Sequence, residues 1–104
     1  MEEKNPKIII KNNKFRKITF LKDHLEIIES IFSSKQEVPY NKVAKVIFEK
    51  HFYSQFIDDC MTIDYSNKDG KKEKIVIEVT EKDFLRVAEL IKGTNITIEK
   101  KSNY

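Results

Sequence analysis

From Ile8 to Val79 the chain is a succession of short apolar runs and alternating stretches divided by turn residues. Ile8-Ile9-Ile10 lies between Pro6 and Asn12-Asn13. Phe15 to Phe20 alternates, with Ile18 and Phe20 on one side and Lys17 and Thr19 on the other. A period of two sends successive side chains to opposite faces of a strand. Lys22-Asp23-His24 predicts a tight turn into the β-branched run Leu25 to Ile31, and Ser33-Ser34-Lys35 is the next break. Glu37 to Tyr40 reads as extended, because Pro39 keeps the residue before it out of the helical region. Val43 to Phe48 follows, apolar at Val43, Val46 and Phe48. The strongest hairpin signal comes after Cys60: Met61, Ile63 and Tyr65 alternate, Asn67-Lys68-Asp69-Gly70 turns the chain, and Ile75, Ile77 and Val79 alternate on the return.

One segment changes period. Thr80 is placed to cap a helix, with Asp83 three residues on, and Phe84, Val87, Ala88 and Ile91 then form one helical stripe that Leu85 widens. Gly93 after Lys92 supplies the stop. A helix over residues 80–92 follows, with Phe84, Val87, Ala88 and Ile91 expected inside and Lys82, Arg86 and Glu89 wet. Asn95 to Lys100 reads as a last short strand, Ile96 and Ile98 sharing a face. Six or seven strands joined by short connections leave no room for the crossovers that parallel α/β folds require. The reading is therefore mainly β: an antiparallel sheet curled into a barrel, capped by one amphipathic helix and followed by a short strand.

Composition agrees. The 104 residues suit one domain, 1–104, and include fifteen Ile and six Val against two Ala and four Leu, a bias toward pleated surfaces. No apolar run approaches the ~20 residues of a membrane span, and the N-terminus lacks the basic start and apolar stretch of a signal peptide. A cytoplasmic location is expected, or a peripheral one at the inner face of the cell membrane. The single Cys60 asks for no oxidising compartment.

The pattern resembles a known family. Ile18-Thr19-Phe20 followed by Asp23-His24-Leu25-Glu26-Ile27 is similar to the first hairpin of bacterial pleckstrin-homology-like (PH-like) domains, and Val38-Pro39-Tyr40-Asn41-Lys42-Val43-Ala44-Lys45-Val46 to the lead-in of their fourth strand. The hairpin ending at Val79 and the helix at Phe84–Ile91 match the closing elements in order. The resemblance covers roughly residues 14–92 and implies a PH-like barrel that binds rather than catalyses. Small stand-alone proteins of this kind include immunity proteins against leaderless bacteriocins. The Ile8–Ile10 run and the strand at Ile96–Ile98 depart from the minimal pattern. They are expected to extend the sheet or to serve a homodimer, since three consecutive Ile leave one facing outward in any register.

Few residues suggest chemistry. Lys11, Lys14, Arg16 and Lys17 would crowd one sheet end if Asn12-Asn13 turns the chain. That arrangement resembles the basic loop with which eukaryotic pleckstrin-homology domains grip inositol phosphates, and it also suits an anionic membrane surface. A solvated, Lys-rich edge that discourages strand pairing is the plainer alternative. Phe52, Tyr53 and Phe56 form an aromatic segment that either enters a partner groove or bilayer interface or fills the barrel. Cys60 has no catalytic signature around it, Asp58-Asp59 reads as a solvated strand start, and two distant His with one Cys do not make a zinc site. No catalytic residue, metal or cofactor is expected.

The expected function is thus a non-catalytic binding module for a protein partner or an anionic membrane surface. A small basic nucleic-acid binder ranks behind it: the net charge is only +3, and eighteen of the twenty basic residues are Lys, which lacks the bidentate fork of Arg. An enzyme ranks last.

Overall fold

The computed structural model describes residues 7–11, 16–30, 34–51 and 59–103, with His51, Ser102 and Asn103 described by their backbone. Among the described residues seven strands precede one helix and an eighth follows: β1 Ile8–Lys11, β2 Lys17–Phe20, β3 His24–Ile28, β4 Gln36–Pro39, β5 Val43–His51, β6 Cys60–Ser66, β7 Lys72–Glu78, α1 Glu81–Ile91 and β8 Thr97–Asn103. They form two four-stranded sheets, ordered β1-β2-β3-β4 and β7-β6-β5-β8. The apolar faces of both sheets and one face of α1 make a shared core. Ile18, Phe20, Leu25 and Ile27 line it from the first sheet, and Val46, Phe48, Met61, Ile63 and Ile77 from the second. Phe84, Val87 and Ile91 enter from the helix. The rings of Phe48 and Phe84 stack with centroids 4.8 Å apart.

Local chemistry explains the two clearest elements. In the β6–β7 hairpin the Asn67 side-chain oxygen accepts from the amides of Asp69 and Lys71, and Gly70 takes the left-handed conformation, φ +83°, that closes the turn. At the helix start the Thr80 hydroxyl accepts from the Asp83 amide. Past its end Gly93 has φ +90°, and Asn95 donates from its side chain to the Val43 carbonyl, delivering the chain to the edge of β5.

The structure departs from the sequence reading in several places. The sheets are not wholly antiparallel: β8 runs parallel to β5, from Lys45–Thr97 to His51–Asn103, using β6, β7 and α1 as the crossover. Tyr40 does not continue the extended run but opens a 3-10 turn, Tyr40–Lys42, that swings the chain from one sheet to the other. Val43 and Val46 are three apart yet both buried, because the pairing with β6 shifts register between Val43 and Lys45. Leu85 does not widen the helical stripe; it lies about 100° around the helix from Phe84 and is 52% exposed. Ala88, at the margin of the stripe, is half-buried. Thr19 is buried despite its outward position, a short side chain shaded by its cross-strand neighbours Ile9 and Glu26. Ile96 is buried just ahead of β8, whereas Ile98 lies within it and is exposed. In β1 the reading holds: Ile8 and Ile10 fill the chain's own core, and Ile9 is the one of the three Ile that faces outward.

Candidate functional site

The outer face of the first sheet holds most of the described residues that carry a candidate chemistry. The register sets its rows. Ile9, Thr19, Glu26 and Glu37 lie across the four strands in one row, and Lys11, Lys17 and Ile28 in the next. Lys11 and Lys17 are therefore direct cross-strand partners, and so are Glu26 and Glu37. Like charges placed opposite one another destabilise a sheet. The second sheet does the reverse: Asp64 stands between Lys45 and Lys74, and Lys45 also reaches Glu99 at 3.2 Å. The first sheet is thus polarised, basic toward β1 and β2 and acidic toward β3 and β4.

Of the four basic candidates, Lys11 and Lys17 are brought together, and among the described residues neither has a carboxylate within ion-pair reach. Arg16 is turned the other way, donating to the Val76 carbonyl of β7 at 2.6 Å, so it ties the two sheets together. Lys14, the aromatic candidates Phe52, Tyr53 and Phe56, and Asp58 lie outside the described residues. Cys60 is half-buried, and burial raises its thiol pKa, with the carboxylates of Glu49, Asp59 and Glu78 adding to the rise. That is the opposite of an activated nucleophile.

At the acidic end, His24 and Glu26 sit two apart on β3 and so share its outer face, and register brings in Glu37 from β4. The donor atoms of His24, Glu26 and Glu37 all lie within 4.8 Å of one another. His24 Nδ1 is 2.7 Å from the Asp23 carboxylate and Nε2 is 3.4 Å from Glu26 Oε2. The hydrogen bond with Asp23 raises the His24 pKa and lowers that of Asp23. Burial pushes the Glu26 carboxyl upward, but His24 and Lys35 outweigh it and leave the pKa lowered. The Lys35 ammonium stands 3.5 Å from Glu26 and 3.8 Å from Glu37.

The Val-Pro-Tyr segment holds this corner. Val38 is buried, Pro39 precedes the 3-10 turn, and the Tyr40 hydroxyl donates to the Leu21 carbonyl. The Tyr40 amide bonds the Asp23 carbonyl at 3.3 Å, so the turn carrying Asp23 and His24 is fastened at two points. Burial, aided by the Asp23 charge, pushes the Tyr40 phenol up to about 12. The sequence reading weighed His, Cys and carboxylates such as Asp58-Asp59 as metal ligands but did not bring this trio together. The His-x-Glu spacing in a strand was its visible signal; Glu37 joins only through register.

Two clefts flank the sheet. One of about 600 Å³ lies between β4 and the β6–β7 turn, bordered by Lys35, Glu37, Lys42, Asn67 and Asp69. Another of about 460 Å³ lies between β1 and the start of α1, bordered by Ile9, Lys11, Glu78 and Asp83. Both are open and polar-rimmed. No helix among the described residues is long and apolar enough to cross a membrane.

No family model matches the chain, and no curated protein matches it. Among solved structures, a chain in the structure of the Spt16D Pob3N heterodimer is similar to it, with a TM-score of 0.56 at 10% identity. The match covers 97% of this chain and 55% of that one, so this chain spans little more than half its length. At that identity the likeness is one of fold, and the fold is PH-like: a curled β architecture capped by a helix near the C-terminus.

Proposed function

We propose that residues 1–104 form one PH-like domain of the bacterial type and act as a non-catalytic binding module. Its basic end, at Lys11 and Lys17, engages an acidic surface on a partner protein or on the inner face of a membrane. The observation that supports this most is the direct opposition of Lys11 and Lys17. Two cations set side by side cost stability in the free sheet, and an anion bridging them removes that cost. The PH-like likeness fits a binding role, and the similar chain comes from a heterodimer, which accords with a protein partner. An immunity-type role would follow if that partner were a small peptide acting at the membrane.

Vesicle co-sedimentation at low salt tests the reading. A cation at an acidic surface contributes about 1 kcal/mol, so replacing Lys11 and Lys17 together by alanine should weaken capture about thirtyfold. Vesicles rich in phosphatidylserine should hold the parent protein better than neutral ones. If they do not, the membrane version fails, and a partner protein captured by crosslinking must then depend on the same two lysines. Capture that ignores both lysines refutes the proposal.

A further inference from the structure

We propose that His24, Glu26 and Glu37 form a binding site for a divalent cation of the zinc type, with one coordination position left open to solvent or to a donor from a partner. The site lies at the acidic end of the sheet and does not depend on the role assigned to Lys11 and Lys17.

Three features of the geometry lead there. First, the spacing suits the ion. Zinc binds nitrogen and carboxylate oxygen at about 2.0–2.2 Å in tetrahedral geometry, which places neighbouring ligand atoms about 3.3–3.5 Å apart. His24 Nε2 and Glu26 Oε2 stand 3.4 Å apart, the length of a tetrahedral edge and long for a hydrogen bond. Glu37, whose side chain is 60% exposed, supplies the third oxygen from within the same 4.8 Å group. Second, the histidine is already oriented. Its Nδ1 bonds the Asp23 carboxylate at 2.7 Å, the carboxylate–histidine arrangement that holds a metal-binding imidazole in place and presents Nε2 as the ligand. The backbone of that turn is fixed by the Tyr40 amide, which donates to the Asp23 carbonyl. Third, Glu26 and Glu37 are directly opposed across β3 and β4, and Lys35, the one cation drawn between them among the described residues, is loosely held at 3.5 and 3.8 Å. A small divalent ion would satisfy both carboxylates at contact distance where the ammonium does not.

The nitrogen donor selects the class of metal. Calcium and magnesium prefer oxygen-only shells of six or more ligands, whereas an imidazole with two carboxylates suits zinc and its neighbours among the first-row divalent ions. Three protein ligands with an open fourth position is also the pattern of zinc sites that accept an exchangeable ligand.

Isothermal titration of the full chain with zinc, repeated with magnesium, is the test. One zinc ion per chain should bind and magnesium in excess should not displace it. Glu37→Gln and His24→Ala should each weaken binding tenfold or more, and Asp23→Asn by about tenfold through loss of the orienting carboxylate. Lys35→Ala should tighten binding several-fold by removing the competing ammonium, a change of opposite sign that general damage to the fold would not produce. Cobalt in place of zinc should give the visible absorption of a four-coordinate centre, lost in Glu37→Gln. Because Glu37 is exposed, that variant keeps the test valid even if His24→Ala fails to fold. The proposal is overturned if no saturable binding occurs, or if binding survives both ligand substitutions, which would place the ion at other donors such as His51 or Cys60.

Discussion

Truncating Phe84 to alanine should remove a large part of this protein's stability. The side chain is 2% exposed, and its ring stacks on Phe48 with an interplanar angle of 21°. It is the first residue of the helical face that closes the core, and Val87 and Ile91 continue that face. Deleting a buried phenylalanine side chain costs about 3–5 kcal/mol, from lost transfer energy and from the cavity left where neighbours cannot collapse. Proteins of this size are stable by roughly 5–15 kcal/mol in total, so the loss spans about a fifth of that reserve to all of it. In urea, with a slope near 2 kcal/mol per molar, a 4 kcal/mol loss moves the midpoint down by about 2 M. Leu85→Ala, one position along and 52% exposed, is the control and should shift stability by no more than about 0.5 kcal/mol. A double-mutant cycle with Phe48→Ala should return a coupling of about 0.5–1.5 kcal/mol for the stacked pair. The reasoning is refuted if Phe84→Ala melts within about 1 kcal/mol of the parent, because the helix would then not seal the core.

Two further predictions concern clamps and turns. Glu81 accepts from Lys50 of β5 at 2.7 Å and from Lys100 of β8, joining the helix start to both strands; Lys100 above all, then Lys50, lowers its carboxyl pKa to about 2. A depressed folded-state pKa contributes stability that is fully present above the ordinary value of 4.5 and disappears as pH falls toward 2. Urea melts of the parent and Glu81→Gln should therefore differ at neutral pH and converge near pH 2; a constant difference would exclude the clamp. Gly70→Ala places a Cβ in open space, but at φ +83° it should cost about 1–2 kcal/mol through backbone strain alone, and a wild-type melt would show that the turn relaxes.

How much was readable in the chain follows from the range of each interaction. The β6–β7 hairpin and α1 announce themselves because their causes are local: alternation around Asp-Gly in one case, Thr80 and a stripe at Phe84, Val87 and Ile91 in the other. The parallel pairing of β8 with β5 leaves no local trace, since either strand alone reads as an ordinary edge. The irregular spacing of Val43 and Val46 hid a register shift that is settled by β6. The basic end was legible in part: Lys11 and Lys17 meet as any hairpin there would bring them, but Arg16 was counted with them, and only the packing of one sheet on the other reveals its turn toward Val76. The His24 cluster needed the β3–β4 register, which sets Glu37 against Glu26 and has no signature within either strand.

The placement of β8 bears on how the chain assembles. Its first partner in β5 lies about fifty residues earlier, with β6, β7 and α1 between them in the chain. Contacts of such separation form late and slow the search for the native state. Until then β5, the longest strand, presents an unsatisfied backbone edge, and nascent chains emerging side by side could pair through it. Charge guards that interval: Lys45, Glu49 and Lys50 punctuate the open strand, and Lys100 and Lys101 ride on the segment that finally covers it. The C-terminal strand is, in kinetic terms, a late seal on a vulnerable seam, and its amides should be among the first to exchange once folding is complete.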